Sequence, residues 1–171
     1  MRRLFAFAAL LLFAVSAHCR VAEFGLRTAS LRQRGVCKTQ SAEFAVDLML
    51  AASDSVKIVL RNDFATLAKL EFSKSGELLK SSAGAWGNGG DVREFAALMK
   101  LALGFYPAPP AVVHTVSDAA GNPLKIVDLD GGREIGFSYE PNARAGAVPD
   151  SLEIKSGECV LKLKTVQLLG K

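Results

Sequence analysis

The sequence predicts a mainly β (α+β) fold, a strongly curved antiparallel sheet or incomplete β-barrel with one main amphipathic helix on its concave side. Three observations predict it. Apolar residues alternate with polar ones at period two in runs on both sides of the chain's middle. Short glycine- and serine-bearing turns separate those runs. One stretch only, Asp91 to Phe105, repeats its apolar residues at helical spacing. Strands from both ends with a single helix between them are expected to wrap that helix, and such a sheet has a concave apolar face.

The N-terminus reads as a leader. Met1, Arg2 and Arg3 give a short cationic start, and Leu4 to Val15 is unbroken apolar sequence. Val15 and Ala17 stand three and one residues before a cut after Ala17, so residues 1–17 are expected to form a cleavable signal peptide and 18–171 one β domain. The alternative, an uncleaved anchor, needs roughly 20 apolar residues, and His18, Cys19 and Arg20 interrupt the run first. About 150 residues then remain, the usual size of a single domain.

Residues 18 to 35 read as a lead-in with a short helix, in which Val21, Phe24, Leu26 and Leu31 mix with arginines and Gly35 supplies the stop. From Phe44 the period becomes two: Phe44, Val46, Leu48 and Leu50 form one face of a strand. Ala51 to Ser55 turns the chain into Val56, Ile58 and Leu60, which completes a hairpin. A third strand spans Ala65 to Phe72, and Ser73 to Gly76 reverses it into Glu77 to Ser81. Ser82 to Gly90 is a small-residue loop in which Trp86 either covers a pocket edge or packs on the sheet.

Asp91 and Glu94 open the helix, Val92, Phe95, Leu98, Met99, Ala102 and Phe105 mark its apolar face, and Gly104 and Pro107 end it. Pro107, Pro109 and Pro110 make an extended linker. Strands resume at Val112 to Ser117, Leu124 to Asp130 and Arg133 to Glu140. Ser151 to Ile154 and Glu158 to Leu168 close the chain as a last hairpin about Ser156 and Gly157.

Charge and cysteines narrow the function. Arg2 and Arg3 belong to the leader, so 19 of the 21 basic residues face 17 acidic ones in the remaining chain. The basic residues are scattered along the sequence without interleaved aromatics, which argues against nucleic acid as a partner. In an oxidising compartment Cys37 and Cys159, near opposite ends of the domain, are candidates for a disulfide, the alternative being two buried thiols. Cys19, just past the leader, is a candidate for lipidation, although His18 occupies the position where a lipoprotein cleavage box carries a small residue.

Four stretches resemble one known superfamily. Phe44 to Arg61 is similar to its first long hairpin, and Phe64 to Phe72 to the following strand with its Thr-Leu-Ala-x-Leu pattern. Asp91 to Phe105 with Tyr106 and Pro107 resembles its helix and proline-containing loop, and Val148 to Ile154 before Leu161 to Leu168 its terminal hairpin. The superfamily is that of the Lol-type periplasmic lipoprotein carriers and outer-membrane lipoprotein receptors. The resemblance implies an incomplete β-barrel closed by helices, in the periplasm or on the periplasmic face of the outer membrane of a bacterium. It also implies a cavity for lipid or lipoprotein acyl chains, an arginine that helps hold the lid shut, and an exposed apolar loop that touches the membrane surface. No arginine of this chain falls within a matching motif, and the Ala83 to Gly90 loop offers only Trp86 as a large apolar tip.

The expected lining of such a cavity is Phe44, Val46, Leu48, Ile58, Leu60, Leu70, Phe72, Phe95, Leu98, Met99 and Phe137, with Met49 and Met99 as adaptable walls. The same residues at the same spacings would equally fill an ordinary core. Catalysis has little to stand on, since His114 is the one histidine apart from His18 and no serine or cysteine sits in a nucleophile motif. Asp128 and Asp130 alternate before the Gly131-Gly132 turn, where acidic residues are common without any cation. No enzyme activity, cofactor or metal is expected. Two classes remain: a lipid-binding or lipoprotein-binding module with an apolar cavity, and a non-catalytic structural or assembly lipoprotein of the envelope with a filled core and envelope-protein partners.

Overall fold

Alternating apolar side chains give ten strands in the computed structural model, which describes residues 24–40, 42–85, 89–105 and 113–169. They are β1 (Ser30–Lys38), β2 (Glu43–Ala52), β3 (Ser55–Arg61), β4 (Thr66–Ser73), β5 (Leu78–Ala83), β6 (Val113–Ser117), β7 (Pro123–Asp128), β8 (Arg133–Ser138), β9 (Ser151–Ser156) and β10 (Cys159–Leu169). A four-residue helix α1 (Gly25–Thr28) precedes them, and α2 (Gly89–Ala102) stands between β5 and β6. The leader, Cys19, Trp86, Tyr106 and Pro107 to Pro110 lie outside the described residues.

The strands form one antiparallel sheet in the order β5-β4-β3-β2-β1-β10-β9-β8-β7-β6. It consists of two meanders, β1 to β5 and β6 to β10, joined where the first strand pairs with the last. The sheet is not closed into a barrel, so β5 and β6 are its edges. It is nevertheless strongly curved. Helix α2 touches both β5 and β8, which are seven strand steps apart. At about 4.8 Å per step a flat sheet would separate them by roughly 34 Å, far more than the 10–12 Å diameter of a helix.

Curvature explains why α2 is apolar on most of its circumference. Val92, Phe95, Ala96, Leu98, Met99, Leu101 and Ala102 are all buried, as they must be in a helix walled by sheet on several sides. Its C-terminus follows from Gly104, whose φ of 71° is the left-handed conformation glycine adopts freely. The Gly104 N–H donates to the Leu101 carbonyl and the Phe105 N–H to that of Lys100, the paired bonds of a Schellman ending. The regular helix thus stops at Ala102, three residues before the expected end.

The lead-in reading of residues 18 to 35 requires correction. Among its described residues Gly25–Thr28 is helical, and Ser30 begins a nine-residue strand at the centre of the sheet. Gly35 is no helix stop: it lies within β1, where a Cβ would fall on the carbonyl oxygen of Lys162 in β10. The period of two was hidden because the inward set Leu31, Gln33, Gly35 and Cys37 contains a polar residue and a glycine. Elsewhere the expected strands are present with ends shifted by a few residues, as in β7, which ends at Asp128, and β8, which ends at Ser138.

Candidate functional site

All eleven residues expected to line a cavity come together around α2. Phe44 is half-buried and the other ten are buried in one continuous hydrophobic cluster between the sheet and the helix. Leu48, Ile58, Leu60 and Met99 have no exposed surface, so with α2 in place the concavity is filled. Phe95 and Leu98 also border a cavity beneath the start of the helix. Met49, by contrast, is on the outer face of β2 and partly exposed, because it alternates with the inward Leu48 and Leu50.

Open space lies at the two ends of the trough. At the end where α2 terminates, a cavity of about 820 Å³ is lined by Phe24, Arg27, Thr28, Ala52, Ser53, Val56, Lys74, Phe105, Ala145 and Gly146. Its size falls within the roughly 300–1,000 Å³ of ordinary ligand sites. Five separate pieces of chain meet here: α1, the β2–β3 turn with the start of β3, the β4–β5 turn, the residue after the α2 cap, and the loop before β9. Phe24, Val56 and Phe105 are buried and form an apolar floor. The Arg27 guanidinium lies 5.3 Å from the centre of the Phe24 ring and 5.1 Å from that of Phe105, which fixes a cation on the apolar wall. With Lys74 it makes two positive charges, and no carboxylate is among the described lining residues.

The opposite end is smaller and chemically different. Thr39, Asp91, Glu94, Phe95, Leu98, Ile154, Ser156 and Leu161 enclose about 210 Å³ together with Cys37 and Cys159. The two sulfurs are 4.0 Å apart and both thiols are free. Burial, with Cys159 as the next contributor, pushes the Cys37 thiol up to about 12, so it is no activated nucleophile.

Beside this cavity a polar clasp joins the helix to the sheet. Arg133 of β8 donates from Nε to Glu94 Oε1 at 2.7 Å, from Nη2 to Glu94 Oε2 at 2.6 Å, and from Nη1 to Asp128 Oδ2 at 2.9 Å. Ser156 Oγ adds a 2.6 Å bond to Glu94 Oε1. The arginine bonds hold the Glu94 carboxyl below the usual carboxylate range against the opposing effect of desolvation, and raise Arg133 still further above neutrality. Asp128 is thereby committed to an ion pair and to the Gly131 N–H, and His114 is exposed on the edge strand β6. Among the described residues no three His, Cys, Asp or Glu side chains gather as a metal set would.

The sequence reading missed Arg27, Lys74, Phe105, Arg133 and Phe64 as site residues. Phe64 is 95% exposed at the tip of the β3–β4 turn. Asn62 Oδ1 accepts hydrogen bonds from the Phe64 and Ala65 N–H groups, so an ordered turn presents the ring to solvent. Phe64→Ser is expected to leave the melting temperature unchanged within about 2 °C, because the ring packs on nothing whose loss would matter; thermal unfolding followed by circular dichroism checks this.

No family model matches the chain, and no curated protein matches it significantly. Among the described residues no helix is long and apolar enough to cross a membrane.

Proposed function

We propose that the protein is an exported, non-catalytic envelope protein that takes up lipid or the acyl chains of lipoproteins and assists their transfer or localisation to the outer membrane. The observation that carries this reading is the 820 Å³ cavity with an apolar floor of Phe24, Val56 and Phe105 and a cationic rim of Arg27 and Lys74. An acyl chain gains roughly 0.8 kcal/mol for each methylene taken out of water, and an anionic head group would sit against the two cations. The trough behind that mouth is mainly apolar, with Gln33 as a buried polar residue on its wall. Helix α2 fills it, and a cargo longer than the mouth must displace the helix.

Two further features agree with the resemblance noted in the sequence. Arg133 ties α2 to the sheet, the role that a lid-holding arginine would have. Phe64 supplies an exposed apolar tip, in the β3–β4 turn instead of the Ala83 to Gly90 loop. The filled trough favours a second reading, an assembly module of the envelope with no cargo.

Titration of the delipidated mature protein with a fluorescent fatty acid, and native mass spectrometry with a diacylated lipopeptide, separate the two. Saturable one-to-one binding is expected, weakened about fivefold by Lys74→Gln for the anionic fatty acid and little changed for its neutral alcohol, as the loss of one favourable exposed charge would give. Absence of binding to either probe would leave the assembly reading.

A further inference from the structure

The side of the sheet that faces away from α2 has a use of its own. Period-two alternation places the charged residues of the strands, all but Asp128 and Arg133 of the clasp, on this convex face, opposite the buried set. Eleven are basic: three on β1, two on β3, two on β10 and one each on β4, β5, β7 and β9. Five are acidic: two on β2 and one each on β4, β8 and β9. The face therefore has a net charge of +6, more than the +4 of the whole chain.

The excess is densest at the seam between β1 and β10. A shallow depression of about 1010 Å³ runs there, edged by Arg34, Lys38, Lys155, Lys162 and Lys164 against only Glu43 and Glu153. The register sets Arg34 directly opposite Lys164. Like charges facing each other across an antiparallel pair destabilise a sheet; Arg34 is offset by Asp47 of β2, 3.2 Å away, whereas Lys164 forms no ion pair with any carboxylate of the described residues. Aliphatic side chains are interspersed among the cations: Val36 and Val160 are in the depression, and Val166 is exposed further along β10. Cations with long apolar stems and short aliphatic side chains between them suit the head-group zone of an anionic bilayer.

We infer that the convex face of the β1–β10 seam docks on an anionic lipid bilayer. Docking there leaves the trough and its mouth on the other side of the sheet, so it is independent of whether a chain enters the mouth. The attraction is electrostatic and falls with salt.

The test is flotation of the mature protein with vesicles of phosphatidylcholine alone and of equal parts phosphatidylcholine and phosphatidylglycerol, across a salt series. Binding is expected only to the anionic vesicles and to decline as salt rises. Lys164→Glu should weaken it about thirtyfold, a factor near five for each of two charge units, while the melting temperature stays level or rises because Arg34 then faces a carboxylate. Arg144→Glu, the same charge change in the exposed loop before β9, should keep most of the binding. An equal loss in both variants would make the effect one of net charge and overturn the assignment, as would equal binding to neutral vesicles. Capture by polyglutamate without binding to anionic vesicles would make the partner an acidic protein and overturn it as well.

Discussion

Treatment of the folded protein with oxidised glutathione is expected to join Cys37 to Cys159 and to raise the melting temperature by about 5–15 °C, the equivalent of 2–4 kcal/mol in a domain of this size. Two thiols become one disulfide, the two electrons pass to the glutathione disulfide, and the mass falls by two hydrogens. The geometry favours it. Cys37 lies opposite Leu161, and Cys159 is two residues along the same strand on the same inward face. Their sulfurs, 4.0 Å apart, must close by about 2 Å to reach bonding distance. The gain is large because the cysteines are 122 residues apart in sequence, so the cross-link removes much of the unfolded chain's freedom. The raised Cys37 pKa makes the reaction slow at neutral pH and faster as pH rises, since the thiolate attacks. Such a bond would link β1 to β10 and includes no residue of α2, so the cross-link stabilises the sheet without tethering the helix to it. Cys159→Ala should abolish the shift; two thiols still titratable after prolonged oxidation would refute the pairing.

The same seam shows what the sequence disclosed and what it hid. Hairpins such as β2–β3 were legible because their inward positions, Val46, Leu48, Leu50, Val56, Ile58 and Leu60, are all aliphatic and the period of two is unbroken. Strand β1 was not, because Gln33 and Gly35 interrupt its inward set; the neighbouring strand explains the glycine through the close approach of Lys162 and accepts the Gln33 Nε2 bond at Thr165 Oγ1, while Gln33 Oε1 is buried without a hydrogen-bond partner among the described residues. Those are long-range facts that no local pattern contains. The basic residues look scattered along the chain for a related reason: alternation spaces them in sequence and pairing then gathers them on one face. The core residues around α2 were readable as apolar. That nine of the eleven line neither end cavity was not, because periodicity shows which way a side chain faces and says nothing of whether a helix already fills the space.

Removal of the clasp at Arg133 is expected to loosen α2 ahead of the sheet. Arg133→Met leaves Glu94 and Asp128 without their cation on a partly buried surface. Breaking a fully buried pair costs about 3–5 kcal/mol. Here Arg133 is 23% exposed and Glu94 39%, so solvent takes up part of the loss and about 1–3 kcal/mol is expected. The hydrogen-exchange rates of the α2 amides should rise more than those of β1 and β10, since the sheet's own ladder does not depend on the clasp. Acid should act in the same direction. The folded Glu94 carboxyl titrates below its unfolded counterpart, so its contribution is fully present above the ordinary carboxylate value near pH 4.3 and is lost as pH falls through the lower folded value. Arg133 keeps its proton throughout. In wild-type protein the protection of α2 should therefore fade below about pH 4, and in Glu94→Gln it should be lower at neutral pH with that acid step reduced. A wild-type helix whose protection tracks the whole sheet at every pH, and is unmoved by Arg133→Met, would mean that apolar packing alone seats α2, and that the clasp does not control access to the trough beneath it.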